Sequence, residues 1–185
     1  MKYVASMKYV ASIDISSPSI YWKRVCPGAE RLARDAARAA LFDGIAATGL
    51  ALPVRIELGI MLAGDAQQRK LNRSYRGRDL PTNVLAFPAW EPGRHAAPGA
   101  PLLLGDVVLA FETVAREADE QVKPFRDHVR HLIVHGVLHL LGCDHLGEAD
   151  AIIMQRLETS ILAKLGVPNP YSDINWFIEP GSVLP

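Results

Sequence analysis

One segment restricts the fold more than any other. Between Pro124 and Leu141 the chain carries Val129, Leu132, Ile133, Val134, Val137, Leu138, Leu140 and Leu141. Pro124 suits the start of a helix, where its missing N–H is not needed. Gly142 suits the stop. A helix that is apolar on nearly every face belongs inside a domain, with other elements packed around it. Its one polar stripe is unusual: His128, His131, His135 and His139 follow one another at intervals of three, four and four residues. Buried imidazoles need hydrogen-bond partners or a metal. The helix that organises the core is therefore also where chemistry is expected.

The other segments predict what wraps that helix. Val54, Ile56, Leu58, Ile60 and Leu62 alternate with Arg55, Glu57, Gly59 and Met61, the period of a strand. Lys8–Ser16, Asn83–Phe87 and Leu102–Phe111 read as further strands. Helices are expected at Gly28–Ala40, with Leu32, Ala36 and Ala40 on one side, at Asp65–Tyr75, Glu112–Gln121 and Glu148–Leu165. Asp65 is a candidate N-cap, and Gly166 and Pro168 end the last helix. Trp90–Pro101 holds three prolines and two glycines and reads as a mobile loop. About four strands and five helices, alternating first and all helical later, predict a single α+β (α/β-like) domain. Its small mixed sheet would pack against the helices, with a metal site at the end of the central buried helix. A length of 185 residues suits one such domain.

Composition removes several function classes. The net charge is zero, so polyanion binding would need a local basic patch. Cys26 and Cys143 lie far apart in the sequence; they form no disulfide framework and fit a reducing cytosol. No apolar run is long enough to span a membrane, and nothing reads as a signal peptide. The hexapeptide MKYVAS stands at 1–6 and again at 7–12. A perfect duplication that short is no structural repeat; the first copy is a cloning or start-site artefact and is set aside.

Histidines at i and i+4 on one helix can reach a single ion, the helix fixing the bite. His135 and His139 form such a pair, and a sharp turn at Gly142 would let His145 supply a third ligand. Three protein ligands and a water are the pattern of a catalytic zinc. His131–His135 is also an i, i+4 pair, so His131 competes with His145 for the third place. His131 and His139 together stand about 12 Å apart along the helix, too far for one ion. His131 is therefore expected beside the site. The metzincin proteases place a glutamate one residue after the first histidine as general base. Here that place is Gly136. Peptide hydrolysis loses its base, whereas a phosphodiester still fits if the protein stabilises the developing negative charge, which is work for arginine.

One dense basic segment exists: Arg69, Lys70, Arg73, Arg76 and Arg78 fall within ten residues, opposed by Asp79. A solvated helix face would account for them equally well. The stretch LNRSYRGRDLPTNVLAFP, followed by LGDVVLA and HGVLHLLGCDH, resembles the YbeY family of bacterial endoribonucleases. The resemblance covers about Ile13 to Gly166, with a duplicated segment before it at 1–12 and an irregular tail at 167–185. It implies that His135, His139 and His145 hold one Zn²⁺ per chain and that Arg76 is the functional arginine. Gly105–Asp106 and the closing Met154, Glu158, Leu162 and Leu165–Gly166 match the family pattern. Cys143 stands where the family often has tyrosine, and the tail after Pro170 shows no resemblance.

The activity so implied is zinc-dependent cleavage of single-stranded RNA in the cytoplasm. It would serve maturation of the 16S ribosomal RNA 3′ end and ribosome quality control, with the ribosome or its small subunit as partner. Arg69, Lys70, Arg73 and Arg78 would then steer RNA through its phosphates. Asp144 either orients a ligand histidine or caps the turn, and Asp106 either stabilises a loop or faces the pocket. Cys143 has no role beside three histidines, His95 is expected in solvent, and His128 at the pocket rim or in solvent. Two other readings stand beside this one. A non-catalytic assembly factor would use structural zinc, which takes four protein ligands. A metalloprotease-like hydrolase would need a glutamate at position 136.

Overall fold

The structure is a computed structural model that describes residues 9–50, 52, 55–91, 99–143 and 147–172. Four strands, β1 (Val10–Ser16), β2 (Arg55–Ala63), β3 (Val84–Pro88) and β4 (Leu102–Ala110), form one sheet in the order β1-β2-β4-β3. β1, β2 and β4 run parallel, and β3 is an antiparallel edge strand. The mixed sheet and the α+β class agree with the expectation from sequence. Alternation in β2 works as its pattern requires: Ile56, Leu58, Ile60 and Leu62 are buried while Arg55 and Glu57 are exposed. Register then lines up Ile15, Ile60, Val107 and Ala86 across all four strands.

The described residues hold six helices rather than about five: α1 (Ile20–Val25), α2 (Ala29–Thr48), α3 (Asp65–Arg76), α4 (Phe111–Glu120), α5 (Phe125–Leu140) and α6 (Glu148–Lys164). α1 is the addition. It is too short to show a period, but it delivers Trp22, fully buried, whose indole N–H donates to the Ala63 carbonyl at 2.8 Å. α2 runs past the expected end at Ala40 because Leu41 and Ile45 continue its buried stripe. Four of its alanines, Ala33, Ala36, Ala37 and Ala40, are fully buried and let α2 lie close to α5.

α5 is the centre of the fold, as its composition demands. It packs against α2, α4, α6, β3 and β4. Fully burying each of its Leu, Ile and Val side chains is worth about 1.5–3 kcal/mol. On the other side of the sheet, Leu71 of α3 covers Ala63, Leu85 and Val108 with Met61 and Phe87. Trp90, at the start of the expected mobile loop, is buried in the main core; residues 92–98 of that loop lie outside the described residues.

Candidate metal and phosphate site

The end of α5 is built by a glycine turn. Gly142 takes φ 84°, a left-handed conformation that favours glycine. Its N–H donates to the His139 carbonyl at 3.0 Å, and the Cys143 N–H donates to the Leu138 carbonyl at 3.0 Å. This paired closure satisfies the last carbonyls of the helix and turns the chain over the His139 end. There a cavity of about 450 Å³ opens, lined by His135, Gly136, His139, Gly142 and Cys143 from this side. Val84, Ala86 and Pro88 of the edge strand form the opposite wall, and Arg76 joins them. The structure therefore gathers His135, His139 and Arg76 around one space. His145 and Asp144 lie outside the described residues, as does His95.

Arg76 arrives on a helix whose buried face is polar. Gln68 accepts a hydrogen bond from the Thr82 N–H at 2.8 Å, and Asn72 donates to the Leu80 carbonyl at 2.6 Å. These two side chains hold the chain between α3 and β3, and so set the end of α3 against the edge strand. Asp65 is not the N-cap; Gly64 is. The Asp65 carboxylate instead accepts from the Thr113 N–H at 3.0 Å and the Thr113 hydroxyl at 2.8 Å. Glu112 accepts from the Asp65 N–H at 2.8 Å in return. α3 and α4 thus cap each other, which neither segment reveals alone. The last residue of α3, Arg76, reaches over β3, with Nη2 3.4 Å from the Ala86 carbonyl.

The other basic residues do not share that position. Arg69 forms a two-point pair with Asp79, at 3.0 and 2.7 Å, on the exposed surface. Lys70, Arg73 and Arg78 are exposed on the same segment but do not line the histidine cavity. Asp106 lies on the far face of the sheet, in a cleft with Asp14 and Tyr75, away from the histidines. Cys143 does line the cavity, but burial, then the Glu158 charge, pushes its thiol up, so it stays protonated at neutral pH.

Behind the histidines lies a network that the sequence did not disclose. Glu158 of α6 is 1% exposed, and its Oε1 accepts from His135 Nδ1 at 2.7 Å. The Tyr171 hydroxyl donates to Glu158 Oε2 and stands 3.1 Å from His131 Nε2. His131 itself is 3.7 Å from Glu158 Oε2. Burial pushes the Glu158 carboxyl up, but His131 and His135 beside it, with the Tyr171 hydroxyl, outweigh that and hold it at about 2. Burial, then the Glu158 charge, raises the Tyr171 phenol, which stays a donor. Glu158 was visible in the sequence as part of the closing family pattern, and it is a carboxylate at the buried i, i+4 spacing from Met154 and Leu162. Tyr171 had no such signal, since it sits in an aperiodic tail.

His128 is a correction. It is not at a rim or in solvent but 4% exposed, with Nε2 3.0 Å from Glu117 Oε2. Gly136 has a structural reason as well. A Cβ there would stand 2.7 Å from Val107 Cγ1 on β4, so only glycine lets α5 lie this close to the sheet.

Comparison with known proteins places the chain. A match to the family described as Endoribonuclease YbeY spans residues 30–166. The chain belongs to the YbeY family. A protein named Endoribonuclease YbeY from Paramagnetospirillum magneticum is 48% identical over 164 residues, covering 88% of this chain and 95% of the relative. The YbeY relative from Rhodopseudomonas palustris is 54% identical over 117 residues, covering 63% of this chain and 68% of its own. A solution structure of a Thermotoga maritima protein covers 93% of this chain and 100% of its own at 19% identity, with a TM-score of 0.49.

Two of the expected ligands are spaced as a zinc ion would require. His135 Nε2 and His139 Nε2 converge at 3.0 Å. Two nitrogens held at about 2.0–2.1 Å from one tetrahedral zinc stand about 3.3 Å apart. Among the described residues these two imidazoles converge but no group of three metal-ligating side chains does. The expected third ligand, His145, is outside them.

Proposed function

We propose that this chain is a zinc-dependent endoribonuclease acting on single-stranded RNA; the names of its relatives support the endoribonuclease part of that reading. The observation that carries the reading is the meeting of Arg76 with His135 and His139 around one cavity. In this proposal His135, His139 and His145 hold the metal. A zinc held there would lower the pKa of a water to about 7. Arg76 binds the scissile phosphate and neutralises charge as it develops, with a fork matched to two phosphate oxygens. Gly136 offers no base, so proton transfer from this position is absent, which opposes a peptidase. Lys70, Arg73 and Arg78 extend the positive surface along α3 and the turn after it, suited to successive phosphates. Arg69, tied to Asp79, contributes less.

The proposed setting is the cytoplasm, with ribosomal RNA precursor as substrate, the 16S 3′ end as the site processed, and the small subunit as partner in maturation and quality control. Among the described residues, no helix is long and apolar enough to cross a membrane. Metal analysis of the purified chain, paired with cleavage of a single-stranded RNA before and after chelation, tests the proposal. About one zinc per chain and cleavage lost on chelation and restored by zinc are expected. Zinc bound without any RNA cleavage would favour the non-catalytic assembly factor instead.

A further inference from the structure

We propose that Glu158, steadied by Tyr171, is the positioning residue for His135: its carboxylate accepts a hydrogen bond from Nδ1–H and leaves the Nε2 lone pair facing the cavity. The inference rests on the zinc reading above for its consequence, though not for its geometry. Glu158 sits on the buried stripe of α6 with Met154, Ile161 and Leu162. A carboxylate buried among apolar side chains is costly unless its oxygens are satisfied. Here they are, by groups from two other parts of the chain.

A carboxylate offers only acceptors, so the bond from His135 at 2.7 Å requires the hydrogen on Nδ1. A neutral ring protonated at Nδ1 carries its lone pair on Nε2. That is the nitrogen directed at His139 Nε2. Carboxylates placed behind ligand histidines fix the tautomer and raise ligand basicity.

Tyr171 completes the set of donors around Glu158. Two rings lie within reach of this carboxylate, His135 on Oε1 and His131 3.7 Å from Oε2. The Tyr171 hydroxyl donates to Oε2 and also stands 3.1 Å from His131 Nε2. Its ring meets the His131 ring edge-on at 5.5 Å and 88°. Tyr171 thus engages Oε2, while Oε1 meets His135 at 2.7 Å. The segment that brings Tyr171 is itself held, since Lys123 Nζ donates to the Pro170 carbonyl at 3.1 Å.

Two readouts on the full chain test this. The first is the tautomer of His135 in the metal-free protein, from ¹⁵N NMR of the ring nitrogens. The second is zinc affinity by competition with a chelator. The wild-type chain should show His135 protonated at Nδ1. In Glu158→Gln the amide can present oxygen or NH₂ to the ring, so both tautomers should appear, and zinc affinity should fall on the order of 10–100-fold. Tyr171→Phe, a milder change, should shift both readouts in the same direction by less. A wild-type His135 protonated at Nε2 overturns the proposal. So does a Glu158→Gln chain that loses thermal stability while tautomer and zinc affinity stay as in wild type. If the wild-type chain binds no zinc, the metal reading falls, and the tautomer alone decides whether Glu158 positions His135.

Discussion

At one end of α5, His128 Nε2 meets Glu117 Oε2 at 3.0 Å; about two turns on, His135 Nδ1 meets Glu158 Oε1 at 2.7 Å. Both are histidine–carboxylate pairs on one stripe of one helix. They differ in what lies beyond the ring. His128 is 4% exposed, and its Nδ1 has no partner among the described residues. Glu117 also accepts from Asn83 at 2.9 Å, so this pair ties α4, α5 and the start of β3 together. His135 is 28% exposed in its side chain, and its second nitrogen converges with His139 at a cavity that Arg76 also lines. A carboxylate behind an imidazole is thus not what marks a reactive site. The environment of the opposite nitrogen is.

The largest expected effect separates the two pairs directly. His135→Ala should lose zinc and RNA cleavage down to background, whereas His128→Ala should keep zinc at wild-type stoichiometry. Metal analysis and cleavage assays on both proteins check this. Loss of zinc in both would erase the distinction. The next effect concerns the group that only the second pair faces. Arg76→Ala should keep zinc and fold yet reduce single-turnover cleavage by about 10²–10³-fold. Arg76→Lys should recover little of it, because an ammonium lacks the fork. Wild-type single-turnover rates in Arg76→Ala would remove the arginine from the mechanism.

The smallest effect sharpens the structural side. Glu117→Ala leaves His128 and Asn83 without their acceptor and should cost about 1–3 kcal/mol in urea unfolding, with zinc retained. Burial pushes the Glu117 carboxyl up, but hydrogen bonds from His128 and Asn83, with the charges of His128 and Arg116, hold it below its usual 4.5. A carboxyl whose folded pKa is depressed stabilises fully above its unfolded pKa, and that stability fades as pH falls through the folded value. The wild-type advantage over Glu117→Ala should therefore be complete at neutral pH and shrink on acidification below 4.5. An advantage that grew on acidification would contradict this pairing.

Much of this was legible in the sequence, for reasons particular to each part. α5 was readable because an all-round apolar helix has one place to go, and β2 because alternation has one period. The His135–His139 pair could be read from spacing, and Arg76 from the YbeY resemblance. Asp65 misled because a side chain suited to capping its own helix was used by a neighbour 48 residues away. α1 escaped because six residues are too few to show a helical period. His128 was expected at the pocket rim or in solvent because Glu117, eleven residues earlier, gives no local sign that it faces the helix. Tyr171 was silent in the same way, and Glu158 was visible only as part of a pattern, since the contact between them arises only where three segments meet.

Gly136 carries a consequence for how this scaffold can change over evolutionary time. In a metalloprotease the side chain at that place is the base; here the place belongs to the contact between α5 and Val107. Peptidase chemistry is therefore not one codon away. A glutamate there would first need Val107 and Val84 to give way, an overpacking that typically costs about 1–3 kcal/mol. The close approach confines drift at this site to substrates that can be cleaved without a base at residue 136.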